Sequence, residues 1–167
     1  MVEINNTKIS YETLMLNDIF NDNTKERAKS ADILFLPDFE VKEGIDRAFQ
    51  PDTIGFYKYS REVVKDYKLE LFENIGEEKI LNLHSFDIWI PTIFIASELL
   101  LPFIVNLVSN YVYDKLRGRE SDEATIHFQL IIEDKAKKKS KSLFYKGPQS
   151  GFKESFEKVD ISHLWKE

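Results

Sequence analysis

Ile33-Leu34-Phe35-Leu36-Pro37-Asp38 is the stretch on which the reading of the fold turns. Four consecutive apolar residues closed by a Pro-Asp turn signal are too few for a helix and predict a strand covered on both faces. Pro51-Asp52 then opens a helical pattern with Asp52 as its N-cap. Phe56, Tyr59, Val63 and Tyr67 recur there at intervals of three and four, which puts them on one face. A second short run, Leu69-Glu70-Leu71-Phe72, follows without a break. Strand, helix and strand in that order predict a right-handed βαβ crossover, and with it a sheet that is parallel in part.

Working outward, residues 2–14 read as a β-hairpin around Asn5-Asn6, with Val2, Ile4, Ile9 and Tyr11 at alternating positions. Residues 20–31 are polar and predict a loop or a short exposed helix. Residues 88–113 form the most apolar stretch. Glu98 and Pro102 interrupt it, and its longest uncharged piece, residues 99–113, is 15 residues, whereas a membrane span needs about 20. Residues 102–117 carry a helical pattern. Leu107, Val108, Tyr111, Val112 and Leu116 make one face, and Asn106, Ser109, Asn110, Asp114 and Arg117 the other. Pro102 suits the first turn, and Gly118 the position just past the end. Thr125 onward alternates (Ile126, Phe128, Leu130, Ile132), and Leu143-Phe144-Tyr145 can return antiparallel across a lysine-rich turn. After Gly147-Pro148, a short helix carries Phe152, Phe156 and Val159. The expected fold is α/β, or α+β: a single domain over residues 1–167, with a mixed sheet containing one βαβ unit. A hairpin lies near each end, and the main amphipathic helix spans residues 102–117.

Composition narrows the function classes. The chain has 167 residues, 43% apolar and 31% charged, with six Gly and five Pro, which suits a packed domain and excludes a flexible linker protein. It has no Cys, so a disulfide framework, a thiol nucleophile and a Cys-ligated metal are excluded. The net charge is −6, divided as −8 over residues 1–100 and +2 over the remainder. An acidic chain does not attract nucleic acid as a whole. One basic cluster stands out: Lys135, Lys137, Lys138, Lys139 and Lys141. No aromatic is interleaved for base stacking, so the cluster reads as a solvated hairpin tip, with an anionic contact as the alternative. Met1-Val2-Glu3-Ile4 does not resemble a secretory leader, which favours a cytoplasmic setting.

Candidate chemistry is sparse. Asp38 and Glu40 follow a buried strand, where open α/β sheets place ligands, and two carboxylates two apart are weak candidates for a Mg²⁺ site. No Gly-rich phosphate loop accompanies them, and acidic pairs arise by chance among 29 acids. A nuclease of the PD-(D/E)xK kind fits several combinations of acids equally poorly. His84, His127 and His163 are scattered; His84 and Asp87 are three apart, which would let Asp87 orient an imidazole on a helix. His127 falls opposite the apolar face of its strand, as an exposed or hydrogen-bonded histidine would. Residues 146–151, with Lys153, offer an anion site at a helix start or an ordinary turn.

The stripe of Asn106, Ser109, Asn110 and Asp114 is a different signal. Solvent faces elsewhere in the chain carry Lys and Glu, so an amide-rich stripe beside a wide apolar face points to contact with another surface, within the fold or across an interface. These readings favour a non-enzymatic interaction or accessory subunit that binds a larger protein partner and needs no cofactor. Lys, Ile and Asn together number 44, as in proteins of AT-rich bacterial genomes. A bacterial multi-protein system such as phage defence would suit a small chain of this kind. The alternatives are a small nucleotide- or metal-binding enzyme using the loop after residues 33–36, or a nucleic-acid contact through the lysine tip.

Overall fold

The computed structural model describes residues 1–82, 86–117 and 124–166, with Glu40 described for its backbone alone. The expected strand is β2 (Ile33–Leu36), with all four residues buried. The helix that follows is α3 (Thr53–Val63), and the next strand, β5 (Leu69–Leu71), pairs with β2 in parallel. The βαβ unit is therefore present. A two-stranded hairpin, β3 (Asp38–Lys42) and β4 (Ile45–Ala48), is inserted between β2 and α3. It turns at Gly44, whose φ of 82° is open to glycine without strain.

The main sheet runs β1 (Val2–Asn6), β9 (Lys139–Pro148), β8 (Thr125–Asp134), β7 (Thr92–Ile95), β2, β5, with β6 (Ile88–Trp89) beside β8 ahead of β7. β6 and β7 lie parallel to β8, while β9 is antiparallel to it and β7 is antiparallel to β2, so the sheet is mixed. Residues 88–95, read from sequence only as an apolar stretch, are thus two short strands. Pro91, which has no N–H to give to the ladder, separates them. Ile90 keeps the register by donating its N–H to the His127 carbonyl at 3.0 Å.

Side-chain alternation along β8 sorts the two faces. Ile126, Phe128, Leu130 and Ile132 enter the larger core under α3, α4 (Leu101–Leu116), α5 (Gln149–Glu157) and α6 (Ile161–Leu164). Ile131 enters a smaller core with Leu34, Leu36, Phe72 and Phe94, covered by Leu14 of α1 (Tyr11–Met15) and Ala28 of α2 (Asp22–Lys29). His127 and Gln129 lie on this second face nearer the strand's start. There they meet Asp38 after β2 and Gln50 after β4 rather than a helix. The smaller layer thus covers only part of its face, and the rest is where polar side chains gather.

Two local expectations are corrected. Residues 2–14 do not form a hairpin; β1 pairs antiparallel with β9, Val2 opposite Tyr145 and Ile4 opposite Leu143, and the hairpin of the N-terminal half is β3–β4. Ser10 and Thr13 form a capping box that starts α1 instead, Ser10 Oγ accepting from the Thr13 N–H at 3.1 Å and Thr13 Oγ1 from the Ser10 N–H at 2.8 Å. Asp52 stands before α3 but makes no side-chain cap; its carboxylate turns to β6 and accepts the Trp89 N–H at 2.7 Å. Of the two alternatives for the polar segment 20–31, loop or short helix, the structure has the helix, α2, capped by Asn21. Helix α4 matches the expected 102–117 span within a residue, with Pro102 in its first turn; Gly118 lies outside the described residues. No helix among the described residues is long and apolar enough to cross a membrane.

A buried ion pair fastens the β3–β4 hairpin to the rest. Arg47 of β4 grips Glu73 in a fork, Nε to Oε2 at 2.7 Å and Nη2 to Oε1 at 2.9 Å, and both residues are buried. Glu73 Oε1 also accepts the Asn74 N–H. Asn74 Oδ1 in turn accepts from the Asn21 N–H and the Thr24 hydroxyl, each at 2.8 Å. Removing Glu73 breaks the buried fork and leaves Arg47 only the more exposed carboxylates of Asp46 and Glu77, at 3.0 and 3.4 Å. Glu73→Ala is expected to destabilise the fold by about 3–5 kcal/mol in urea unfolding. A loss below about 1 kcal/mol, the range of exposed pairs, would show that the pair holds nothing.

Candidate functional site

Two features of the structure have the character of sites: a polar pocket on the partly covered sheet face and the outer surface of α4. The pocket is a cavity of about 70 Å³ bounded by Asp38, Gln50, Trp89, Thr92, His127 and Gln129, with Ile90, Phe128 and Phe144 completing the wall. The register brings these together. β7 lies parallel to β8, so Thr92 at the start of β7 comes beside Gln129, and Thr92 also pairs with Leu36 at the end of β2. The chain leaving β2 through Pro37 then delivers Asp38 to the same end of the sheet.

Asp38 is fully engaged there. Its Oδ1 accepts the Thr92 hydroxyl at 2.8 Å, and its Oδ2 accepts the Gln50 side-chain N–H. Gln129 donates to the Ser142 hydroxyl at 2.7 Å. Two buried atoms on the lining residues, Gln50 Oε1 and Trp89 Nε1, meet no hydrogen-bond partner among the described residues. Unpaired buried polar atoms are rare in folded proteins, because each loses its hydration without compensation.

His127 borders the pocket, 7% exposed. Its ring lies flat on Trp89, with centroids 3.5 Å apart and planes at 2°, and its Nε2 is 2.9 Å from Asp87 Oδ2. Asp87 thus orients the imidazole of His127 on β8, 40 positions along the chain. His84 lies outside the described residues. Of the two acids read from sequence, Asp38 is in the pocket, and the side chain of Glu40 lies outside the described part. Among the described residues no three metal-ligating side chains of the His, Cys, Asp and Glu types cluster.

The α4 surface is built by the helical period. Leu101, Ile104, Val105, Leu107, Val108, Tyr111 and Val112 are buried, and Asn106, Asn110 and Asp114 are exposed on the opposite side. Ser109 is half-buried at the edge of the stripe, with its hydroxyl shut off from solvent and unpartnered among the described residues. Beside Asn106 a groove of about 380 Å³ separates Pro102 and Val105 from Phe156, Val159 and Ile161. The stripe therefore faces outward and flanks an apolar groove.

Asp52 joins the two features. Its buried carboxylate accepts the Trp89 N–H from the pocket side. From the α4 side it takes the Tyr111 hydroxyl at 3.3 Å and the Lys115 ammonium. Burial pushes the Tyr111 phenol up, which keeps it a donor.

The remaining expected residues fall elsewhere. Lys135, Lys137 and Lys138 occupy the exposed β8–β9 turn, Lys139 begins the return strand and Lys141 follows on it. Within this cluster Lys135 sits 5.1 Å from the Tyr11 ring centre, and Lys141 donates to Asn6 Oδ1 at 2.6 Å. His163 pairs with Asp160 on α6, at 3.2 Å. At residues 146–151 Gly147 is a packing requirement, since a Cβ there would meet the Tyr145 hydroxyl at 2.8 Å. Compared with protein-family models, curated proteins and solved structures, the chain matches none of them.

The Asp87–His127 contact makes the pocket's stability depend on pH. The His127 hydrogen bond, helped by the Thr125 N–H, holds the Asp87 carboxyl below the ordinary aspartate range. A depressed carboxyl contributes stability above its unfolded value, about 3.9, and that contribution is lost as pH falls through the lower folded value. Urea unfolding of wild type and Asp87→Asn should show wild type more stable near neutral pH, with the gap closing below about pH 4. A gap that stays constant into strong acid would contradict this.

Proposed function

We propose that this chain is a non-enzymatic interaction subunit that binds a larger protein partner through the outer face of α4. One observation carries the reading: from Leu101 to Tyr113 the helix has no charged side chain, although it lies at the surface. Pro102, Asn106, Asn110 and Tyr113 are exposed there, Tyr113 at 61%, and Leu99 just ahead at 86%. The outer faces of neighbouring helices are ordinary by contrast, with Lys58, Arg61 and Glu62 on α3 and Lys153, Glu154 and Glu157 on α5. Interface centres are depleted in Lys and Glu and enriched in aromatics, whereas surfaces in permanent contact with water favour charge. The adjoining groove supplies the concave apolar ground on which a partner side chain can anchor.

The competing readings have less support. Both oxygens of Asp38 are already bonded to protein groups, and a cavity of about 70 Å³ is far below the size of a nucleotide site, for which about 300–1,000 Å³ is usual. The lysine tip supplies charge but no stacking platform. The interaction reading retains the cytoplasmic setting and the bacterial multi-protein context, such as phage defence, that composition suggests.

The double variant Asn106→Lys/Asn110→Lys tests it, because both positions are exposed and lysine suits a helix. Affinity purification at native expression should recover a larger protein in fixed ratio with wild type and with Lys137→Glu/Lys138→Glu. Recovery with the α4 variant should fall at least about tenfold, as for loss of an interface centre. Equal recovery by all three proteins, or a wild type that elutes alone, would contradict the proposal.

A further inference from the structure

The two edges of the main sheet are finished differently. On β5 the Phe72 N–H turns inward to bond β2, so the Leu71 carbonyl points away from the sheet. The Arg27 guanidinium of α2 covers that edge, donating to the Leu71 carbonyl at 3.2 Å and pairing with Glu70. At the opposite edge, among the described residues, β1 pairs with β9 alone. It reads Val2-Glu3-Ile4-Asn5-Asn6, with neither the proline nor the lysine that commonly guards an edge strand. The ladder fixes which of its backbone groups are open. The Thr7 N–H donates to the Ser140 carbonyl at 3.3 Å, and antiparallel pairs alternate between bonded and non-bonded. Counting back through the register, Asn5 and Glu3 bond Ser142 and Phe144, whereas Val2, Ile4 and Asn6 turn their N–H and C=O groups outward.

A cavity of about 590 Å³ opens beside that edge, between β1 and the corner of α5 and α6. Val2 and Ile4 line it together with Val159 and Leu164, which makes its floor apolar. Lys141, Lys158 and Lys166 stand around it, and Asp160 is the one acid on the described lining. That acid is already paired with His163, at 3.2 Å. Lys158 reaches Glu154 at 3.3 Å, an exposed pair that contributes little in water. A chain of net charge −6 therefore presents a positive rim at this edge.

We propose that β1 is the docking edge for an extended acidic segment of a partner protein, which adds to the sheet as a further antiparallel strand. Opposite residues of an antiparallel pair share a face, so the residues that bond Ile4 and its neighbours send their side chains over the cavity. An apolar side chain there meets the floor, and an acid two positions on meets the lysines. Main-chain bonds supply the adhesion and alternate side chains the choice of partner. A second copy of β1 fits less well: on this face it brings Val2, Ile4 and Asn6 but no acid, since Glu3 lies on the other face. The edge is separate from the outer face of α4, and the inference stands without that reading.

The probe is the blocked peptide acetyl-Thr-Val-Thr-Glu-Thr-Val-Thr-amide, whose Val and Glu side chains share one side when extended. It should bind wild type saturably, with Kd of about 0.1 mM. In the free protein the Glu3 and Asn5 amides should be protected from hydrogen exchange and those of Ile4 and Asn6 open. Saturating peptide should slow Ile4 and Asn6 at least about tenfold. Lysine in place of the peptide's Glu, or a methyl on that residue's backbone nitrogen, should each weaken binding at least about tenfold. Ile4→Pro removes one outward N–H at a place where an edge strand tolerates proline, and should weaken binding equally, while Ile4→Val binds as wild type. Should Ile4→Pro fail to fold, the N-methylated peptide on wild type still decides. The proposal is overturned if the peptide shows no saturable binding, if the lysine or N-methylated peptide matches it, or if protection does not alternate along β1. A dimer of the free protein that Ile4→Pro dissociates would assign the edge to a second copy and overturn it as well.

Discussion

The buried carboxylate of Asp52 is the joint on which the rest of the arrangement depends. A carboxylate taken out of water is costly unless its oxygens are bonded, and here three groups on two elements bond them: the Trp89 N–H of β6, and Tyr111 and Lys115 of α4. Asp52 also donates its own N–H to the Trp89 carbonyl at 3.0 Å and accepts the Phe56 N–H at 2.9 Å, which starts α3. One residue thereby fixes the entry of the crossover helix, the position of the Trp89 ring over His127 and the C-terminal end of α4. The packing agrees with this: Phe56 and Tyr59 meet the Tyr111 ring, at 5.2 and 5.5 Å, and Phe35 of β2 stacks on Phe56.

Around that joint the sheet separates two kinds of surface. The larger core is aliphatic and aromatic throughout, so α4 is held rigidly by its inner face and its outer face is free to be uncharged. The smaller layer stops short of the start of β8 and leaves His127 and Gln129 to polar neighbours. Carboxylates, amides and hydroxyls collect where a helix would otherwise have supplied apolar cover. The pocket and the α4 surface lie on opposite layers, joined through Asp52.

What could be read from the sequence was whatever is periodic over a few residues. Ile33–Leu36, α3, β5, α4 and the β8–β9 hairpin announce themselves by runs or repeats, and the outward placement of Asn106 and Asn110 follows from the same helical period. The partner of β1 could not be read, because Val2 finds Tyr145 more than 140 positions away and the nearer Ile9 and Tyr11 also alternate. Strands β6 and β7 were hidden by their shortness and by Pro91. Asp38 was legible because Pro37 ends a buried strand just before it. Gln50, Trp89, Thr92, His127 and Gln129 are unremarkable singly and meet only through strand register. Asp87 shows the limit most plainly: spacing points only to His84, which lies outside the described residues, and gives no sign of His127, which the parallel pairing of β6 with β8 brings to it. Asp52 misled in the opposite sense, since a residue with every mark of an N-cap served a tertiary contact.

The central claim is that one carboxylate holds both the Trp89 wall and the end of α4, and amide hydrogen exchange on Asp52→Ala tests it most directly. Removal of a buried bonded group loosens what it held. The account predicts exchange at least about tenfold faster in both residues 86–90 and residues 110–116, with β8 and β9 unchanged. Faster exchange confined to the first turn of α3, or a uniform increase across the whole sheet, would contradict it.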